Sequence, residues 1–366
     1  MPGSLRPFDD FRDLLAQMPQ ADPVQEAIAH LRQKGLFMPC GGLGRLEELA
    51  AWLCSWRDME KPLIVRPLVA VFAGNHGLIR HNISPYPADF TKKMVDNFAK
   101  GGAAVNQICI VNDLGLKVFD LALDYPTEDI AADAAMDERS CAATMAFGME
   151  AIMGGADLLC LGAMGNGNRV AAAAMACLLF GGDAADWLSP EPGIDAAFHT
   201  RSLEIVRRAV ALHKPHCEGA DSFEVLRRAG GREMAAIAGA ILAARMERIP
   251  VILDGFVSCV AAAALQKAHP RALDHCLAGH ESAAPEHGRL LQIMGKKPLL
   301  NLGLRLEEGA GAAMAAGIVK SAALCHAQMA HFTGSEAGAD KAEAASGIKA
   351  ETAPAAGLTG APGAQH

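Results

Sequence analysis

The segment LGLRLEEGAGAA (302–313) closes an apolar run into two adjacent glutamates and then a Gly-Ala-Gly. Carboxylates are normally kept in water, because burying a charge without a partner is costly. Glu307 and Glu308 therefore admit two readings. They are the acidic first turn of a helix, where negative side chains oppose the macrodipole favourably, or one of them is there to accept a proton. A second stretch, GAMGNGNRVAAAA (162–174), puts three glycines ahead of a helical pattern that begins near Asn168. Glycines there let a ligand approach the backbone, and the first helical amides suit an anion; tight strand–helix packing would demand the same residues. Arg169 tips the balance toward phosphate, since a cation in a first turn is unfavourable for the helix itself. The spacing is neither GxGxxG nor the Gly-Lys-Ser/Thr of a P-loop.

A third stretch, GNHGLIRHNISPYP (74–87), reads either as a wall over a pocket or as a loop stiffened by prolines. Tyr86, one of only two tyrosines, would give such a wall an apolar body and a polar tip. His269, His275, His280 and His287 match no HExxH or Cys/His spacing and have no acidic partner at helical spacing, so no metal site and no cofactor is expected.

These residues need a scaffold. Five apolar runs, most of them ending at a glycine, suit strands covered on both faces: PLVAVFAG (67–74), LKVFDLAL (116–123), ADLLCLGAMG (156–165), IPVILDGF (249–256) and PLLNLGL (298–304). Between them lie helical patterns such as ADFTKKMVDNFAKGG, TRSLEIVRRAVALH, GREMAAIAGAILAARMER and APEHGRLLQIMG. The alternation predicts an α/β doubly wound domain with a mostly parallel sheet and helices on both faces. In that architecture ligands bind beyond the carboxyl ends of the strands, where GNHG, GAMGNGN, DGF and LEEGAG all fall. Helical patterns in residues 1–60 and 306–332 suggest a smaller helical domain flanking a core at 61–305. Residues 333–366, an Ala/Gly/Ser/Thr-rich tail, are expected to be disordered.

Composition excludes several classes. Half of the 366 residues are hydrophobic, 20% are charged and 5% are aromatic, which favours helices packed on a sheet. A net charge of −8 with no basic cluster gives nucleic acid nothing to hold. Ten scattered cysteines without a CxxC pair point to a reducing compartment. MPGSLRPFDDFRDLL lacks the apolar centre of a signal peptide, and no long apolar run predicts a membrane span. A cytoplasmic protein is the expectation.

Taken in order, FAGNHG, SPYP with the following T..MV.NF..GGAAVNQ, LGAMGNGN, ILDGF, AGHESA.PEH and LGLRLEEGAGAA resemble the motifs of the nicotinate-nucleotide:dimethylbenzimidazole phosphoribosyltransferases, over roughly residues 38–332. The resemblance implies a homodimer acting late in cobalamin synthesis on two small molecules, nicotinate mononucleotide and a benzimidazole. It implies Glu308 as the base, with Glu307 standing where the family has glycine. It places Ser84, Tyr86 and Leu306 at the benzimidazole, and Gly165, Asn168, Asp254, Ser282 and Arg305 at the nucleotide. Departures cluster on the nucleotide side: Ala163 replaces a glutamate, Arg169-Val170 a hydroxyl pair, Ser202 (beside Arg201) a lysine, and SPEPG (189–193) a glycine-rich loop. Asn75 and Ala88 also differ. Arg169 and Arg201 are candidate substitutes for the lost phosphate donors. The alternatives are a diverged homologue that binds an azole or nucleotide without turnover, and an unrelated Rossmann-type oxidoreductase. The latter would require a GxGxxG and an acidic ribose partner that the chain lacks.

Overall fold

The computed structural model describes residues 6–332; the expectation for the 333–366 tail lies outside them. Five parallel strands, β1 (Pro67–Ala73), β2 (Gly115–Asp120), β3 (Leu158–Met164), β4 (Val251–Leu253) and β5 (Cys276–Ala278), form one sheet in the order 2-1-3-4-5. Among the described residues thirteen α-helices accompany them: α1 (Asp9–Gln17), α2 (Pro23–Gln33), α3 (Arg45–Arg57), α4 (Phe90–Ala99), α5 (Ala104–Asn112), α6 (Glu138–Met149), α7 (Asn168–Phe180), α8 (Ala196–Cys217), α9 (Ser222–Ala229), α10 (Arg232–Met246), α11 (Phe256–Ala268), α12 (Pro285–Ile293) and α13 (Ala310–Gln328).

Successive side chains on a strand point to opposite faces, so each central strand feeds two cores. Ala70, Phe72, Leu159 and Leu161 pack toward α6, α7, α10 and α11. Val69, Val71, Leu158 and Cys160 pack toward α5 and α13. That two-sided burial is why the strands read as unbroken apolar runs.

The expected fifth strand, PLLNLGL, is not a regular strand; β5 is CLA, which the apolar runs did not reveal. Residues 298–304 run beside β5, with Leu299 and Leu300 N–H groups donating to Ala278 and Gly279 O and a single parallel bridge between His280 and Leu300. At this open edge Asn301, Leu302 and Gly303 are exposed, so the apolar run is covered on one side only.

At the chain ends, α2 and α3 pack with each other and α3 with α13. Arg32 donates to the carbonyls of His326 and Ala327, and Leu36 bridges to His331. Among the described residues α13 is the one helix long and apolar enough to cross a membrane; its Ala312, Ala313, Ala316 and Val319 face the sheet core.

Among the described glycines, the tightest approach to another element's backbone joins α6 and α10. A Cβ on Gly239 would lie 1.9 Å from Met145 O, and one on Gly148 would lie 2.0 Å from Ala236 O. Because the obstructing atoms are backbone, the helices themselves must part. Gly239→Ala is expected to destabilise the fold by about 1–3 kcal/mol, read as a lower urea midpoint; an unchanged midpoint would show that the two helices separate freely.

Candidate active site

The strand order reverses between β1 and β3, the topological switch point at which doubly wound sheets bind ligands. A cleft of about 280 Å³ opens there, beyond the ends of both strands. Its floor is the β3–α7 turn (165–167), one wall is the SPYP loop with α4, and the opposite wall is the 188–202 segment. The 305–308 segment closes it from above.

Four of the described helices carry their own side-chain caps: Asp22, Asp137, Asp195 and Asp221 accept N–H bonds at the starts of α2, α6, α8 and α9. The helices behind the cleft do not. The N-cap residues of α5, α11 and α13 are Ala103, Gly255 and Gly309, none of which offers a capping side chain. Three carboxylates distant in sequence supply what is missing. Glu308 Oε1 accepts the Val105 N–H of α5 at 3.3 Å. Glu307 spans the Phe256 and Val257 N–H groups of α11, each at 3.1 Å. Asp254 takes the Gly309 and Ala312 N–H groups of α13 at 2.8 and 2.9 Å. Helix termini are thus the partners that make these acids tolerable. The glutamates precede α13, yet they cap α11 and α5 instead.

Their environments still differ. Glu308 is 5% exposed and lines the cleft; burial pushes its carboxyl above the ordinary range, against the lowering effect of the Val105 and Ala104 amides. Glu307 is also raised by burial, opposed chiefly by Arg169. Asp254 is fully buried beneath Gly309, where burial pushes it up to about 7 despite the α13 amides.

Arg169, in the first turn of α7, is held at both ends of its guanidinium. Nη1 meets Glu191 Oε1 and Nη2 meets Glu286 Oε1, both at 2.5 Å, while Nε is buried without a partner. On the other wall Tyr86 stacks on Phe90 with centroids 4.2 Å apart, and Ser84 Oγ accepts the Tyr86 N–H at 3.2 Å. Asn166 fastens this wall to the floor: its amide donates to the Tyr86 and Pro87 carbonyls, and its N–H donates to Thr91 Oγ1 at 3.1 Å.

The cleft brings together Ser84, Tyr86, Gly165, Asn168, Arg169, Arg305, Leu306 and Glu308. Asp254 and Ser282 do not line it. Asp254 lies under the 307–309 segment, and Ser282 is turned to His287, which its N–H and hydroxyl meet at 3.0 and 3.2 Å. Arg201 also stays outside, donating to Asn82 O and stacking on Phe198, whereas Ser202 lines the cleft with its hydroxyl bonded back to Phe198 O. Sequence reasoning missed Asn166, Phe90 and Glu286. Asn166 stood inside GAMGNGN, but its partners are about 80 residues away and nothing local signals them.

Of the four histidines, His275 bonds Ile241 O and lies near Arg245, His287 meets Ser282 and Cys259, and His280 sits 3.3 Å from Asp254. Among the described residues no three metal-ligating side chains converge. A further buried pair, His76 Nε2 and Glu233 Oε1 at 2.9 Å, underlies the floor near Gly165.

Comparison with known proteins bears on the family and the fold. The sequence model described as a phosphoribosyltransferase matches residues 18–338. Proteins named nicotinate-nucleotide–dimethylbenzimidazole phosphoribosyltransferase from Brucella canis and Brucella suis are each 61% identical over 332 residues, covering 91% of this chain and 97% of theirs. Two crystal structures from Thermus thermophilus superpose with it. One, titled as the same phosphoribosyltransferase, gives a TM-score of 0.77 at 36% identity and covers 87% of this chain and 98% of that one. The other, titled CobT, gives 0.79 at 35% identity and covers 86% and 99%. The chain belongs to the nicotinate-nucleotide–dimethylbenzimidazole phosphoribosyltransferase family.

Proposed function

We propose that the protein transfers phosphoribose from nicotinate mononucleotide to 5,6-dimethylbenzimidazole, giving α-ribazole 5′-phosphate and nicotinate for the lower nucleotide loop of cobalamin. The observation that carries this reading is Glu308: a buried carboxylate of raised proton affinity on a cleft with an aromatic wall. The chemistry needs one base and no general acid. As the azole nitrogen bonds to the anomeric carbon, the bond to the pyridinium breaks and its electron pair neutralises the ring nitrogen, so the leaving group departs unprotonated. The benzimidazole, carrying an N–H and now a positive charge, gives that proton to Glu308. A carboxyl whose pKa burial raises accepts it more readily than an ordinary surface glutamate does.

In this reading Tyr86, Phe90 and Leu306 supply apolar surface for the flat azole, and Ser84 holds the Tyr86 backbone. Gly165, Asn168, Arg169 and Arg305 face the nucleotide; Asp254 and Ser282 act behind the cleft, through the 309–312 backbone and through His287. We further read the chain as cytoplasmic and homodimeric, with the α2–α3–α13 assembly as a smaller domain. Light scattering on the purified chain tests the dimer.

The decisive assay incubates purified protein with nicotinate mononucleotide and dimethylbenzimidazole and follows α-ribazole phosphate by chromatography. Product formation at a rate proportional to enzyme supports the reading. A benzimidazole-induced rise in Tm without product from any azole acceptor would instead identify a homologue that keeps the pocket and has lost turnover.

A further inference from the structure

Arg169 faces two carboxylates that are not equivalent. The Glu286 side chain is 2% exposed, stands in the first turn of α12 and also accepts the Ser189 N–H at 3.4 Å. The Glu191 side chain is 44% exposed and lies in the SPEPG loop, outside any helix or strand. Removing one member of a buried pair leaves an uncompensated charge behind. Glu191 regains water when it leaves Arg169, since its side chain already reaches solvent, an outlet that Glu286 lacks. Glu286 is therefore the fixed anchor of the guanidinium, and Glu191 is the partner that gives way.

The charge lining the cleft points the same way. Arg169 and Arg305 face Glu191, Glu307 and Glu308, with Glu286 directly behind Arg169. A phosphate dianion entering beside Arg169 meets excess negative charge for as long as Glu191 stays there. Guanidinium recognises carboxylate and phosphate with the same pair of donors, so the two anions compete for one edge of Arg169.

Building on the phosphoribosyl transfer proposed above, we propose that Glu191 is an intramolecular competitor for the substrate's phosphate. It occupies Arg169 Nη1, and the phosphate displaces it, while Glu286 holds the guanidinium in its aim. The pair then sets the KM for the nucleotide and discriminates against anions too weak to displace a carboxylate. Apparent affinity falls by the fraction of molecules in which Arg169 is free to bind, so removal of the competitor strengthens binding.

The experiment compares wild type, Glu191→Ala, Glu191→Gln and Glu191→Ala/Arg169→Gln in two measurements: steady-state kinetics with nicotinate mononucleotide, and calorimetric titration with inorganic phosphate. Both single variants are expected to lower KM and to tighten phosphate binding by about two- to fivefold, with kcat unchanged. The gain is expected to vanish in the double variant. An unchanged or higher KM in Glu191→Ala, a gain that persists without Arg169, or absence of phosphate binding in both wild type and Glu191→Ala would each overturn the proposal. If turnover is absent but phosphate binding tightens as described, the competitor role stands and the transferase reading fails. If turnover is present and phosphate affinity is the same in all three Arg169-containing proteins, the transferase reading stands and the competitor role fails.

Discussion

Glu308→Gln is expected to lower kcat by about 10²–10⁴-fold, the usual worth of a positioned general base, with little change in folding. Glutamine keeps an oxygen to accept the Val105 N–H that Glu308 Oε1 accepts, so the cap on α5 survives while the proton acceptor is lost. Replacement by alanine would confuse the two effects, because an N-cap acceptor is itself worth about 1 kcal/mol. The measurement is single-turnover product formation beside a urea unfolding curve. A rate within a few-fold of wild type would show that the azole proton leaves by another route.

The same residue should separate activity from stability along the pH axis. Burial raises the Glu308 carboxyl above its ordinary value, so the active carboxylate is lost as pH falls through that raised value, which places an acid limb in kcat/KM. Stability runs oppositely. A carboxyl whose folded pKa exceeds its unfolded pKa contributes stability that is fully present below the unfolded value and lost as pH rises through the folded one. Glu307 and Asp254 carry shifts of the same sign, Asp254 up to about 7, whereas burial lowers His213, His275, His280, His287 and His326, whose contribution rises with pH. The Glu308 contribution is therefore read as the unfolding free energy of wild type minus that of Glu308→Gln, which should fall as pH rises through the raised Glu308 value while activity rises.

β1, β3 and β4 were legible as apolar runs because their residues are buried on both sides, whereas β2, also marked by its run, is an edge strand of exposed and half-buried residues. β5 was not legible, since three residues between His275 and Gly279 carry too little pattern. PLLNLGL was overread for the converse reason: its composition is that of a buried strand, but an edge beside a three-residue strand gives it few ladder partners. Helices α4, α10 and α12 lie within the segments whose 3.6-residue pattern announced them, and α8 runs four residues beyond its segment at each end.

At the site, the family motifs pointed to the cleft, and eight of the ten residues they and Arg169 nominated line it. What stayed hidden is the wiring. Glu308 bonds a residue 203 positions away, Asp254 one 55 away and Arg169 one 117 away. No periodicity encodes such partners. The Glu-Glu pair shows the consequence. Its acidity does serve helix starts, as local reasoning allowed, but the helices belong to other parts of the chain. Glu307 fits against the start of α11 because Gly255 leaves room: a Cβ there would lie 2.6 Å from Glu307 Cγ.

Gly162→Ala tests how firmly this wiring holds the base. Gly162 lies on β3, directly under the 308–309 segment; a Cβ added there would lie 2.4 Å from Gly309 N, 2.5 Å from Glu308 C and 2.8 Å from Glu308 O. None of these atoms is the end of a flexible side chain, so the backbone of 308–309 must move. It is held from two sides, by the Ala163 N–H on Glu307 O and by Asp254 on the Gly309 N–H, each at 2.8 Å. A displacement of about 1 Å at a reacting group can cost about 10²-fold in rate, and overpacking costs about 1–3 kcal/mol. The variant is therefore expected to lose about 10²-fold in kcat with a lowered urea midpoint. Its KM for nicotinate mononucleotide should change far less, because Arg169 and the 165–168 turn do not depend on the 308–309 backbone. A folded variant with kcat within twofold of wild type would show that the segment yields without moving the carboxylate, and that Glu308 is aimed by its α5 contact alone.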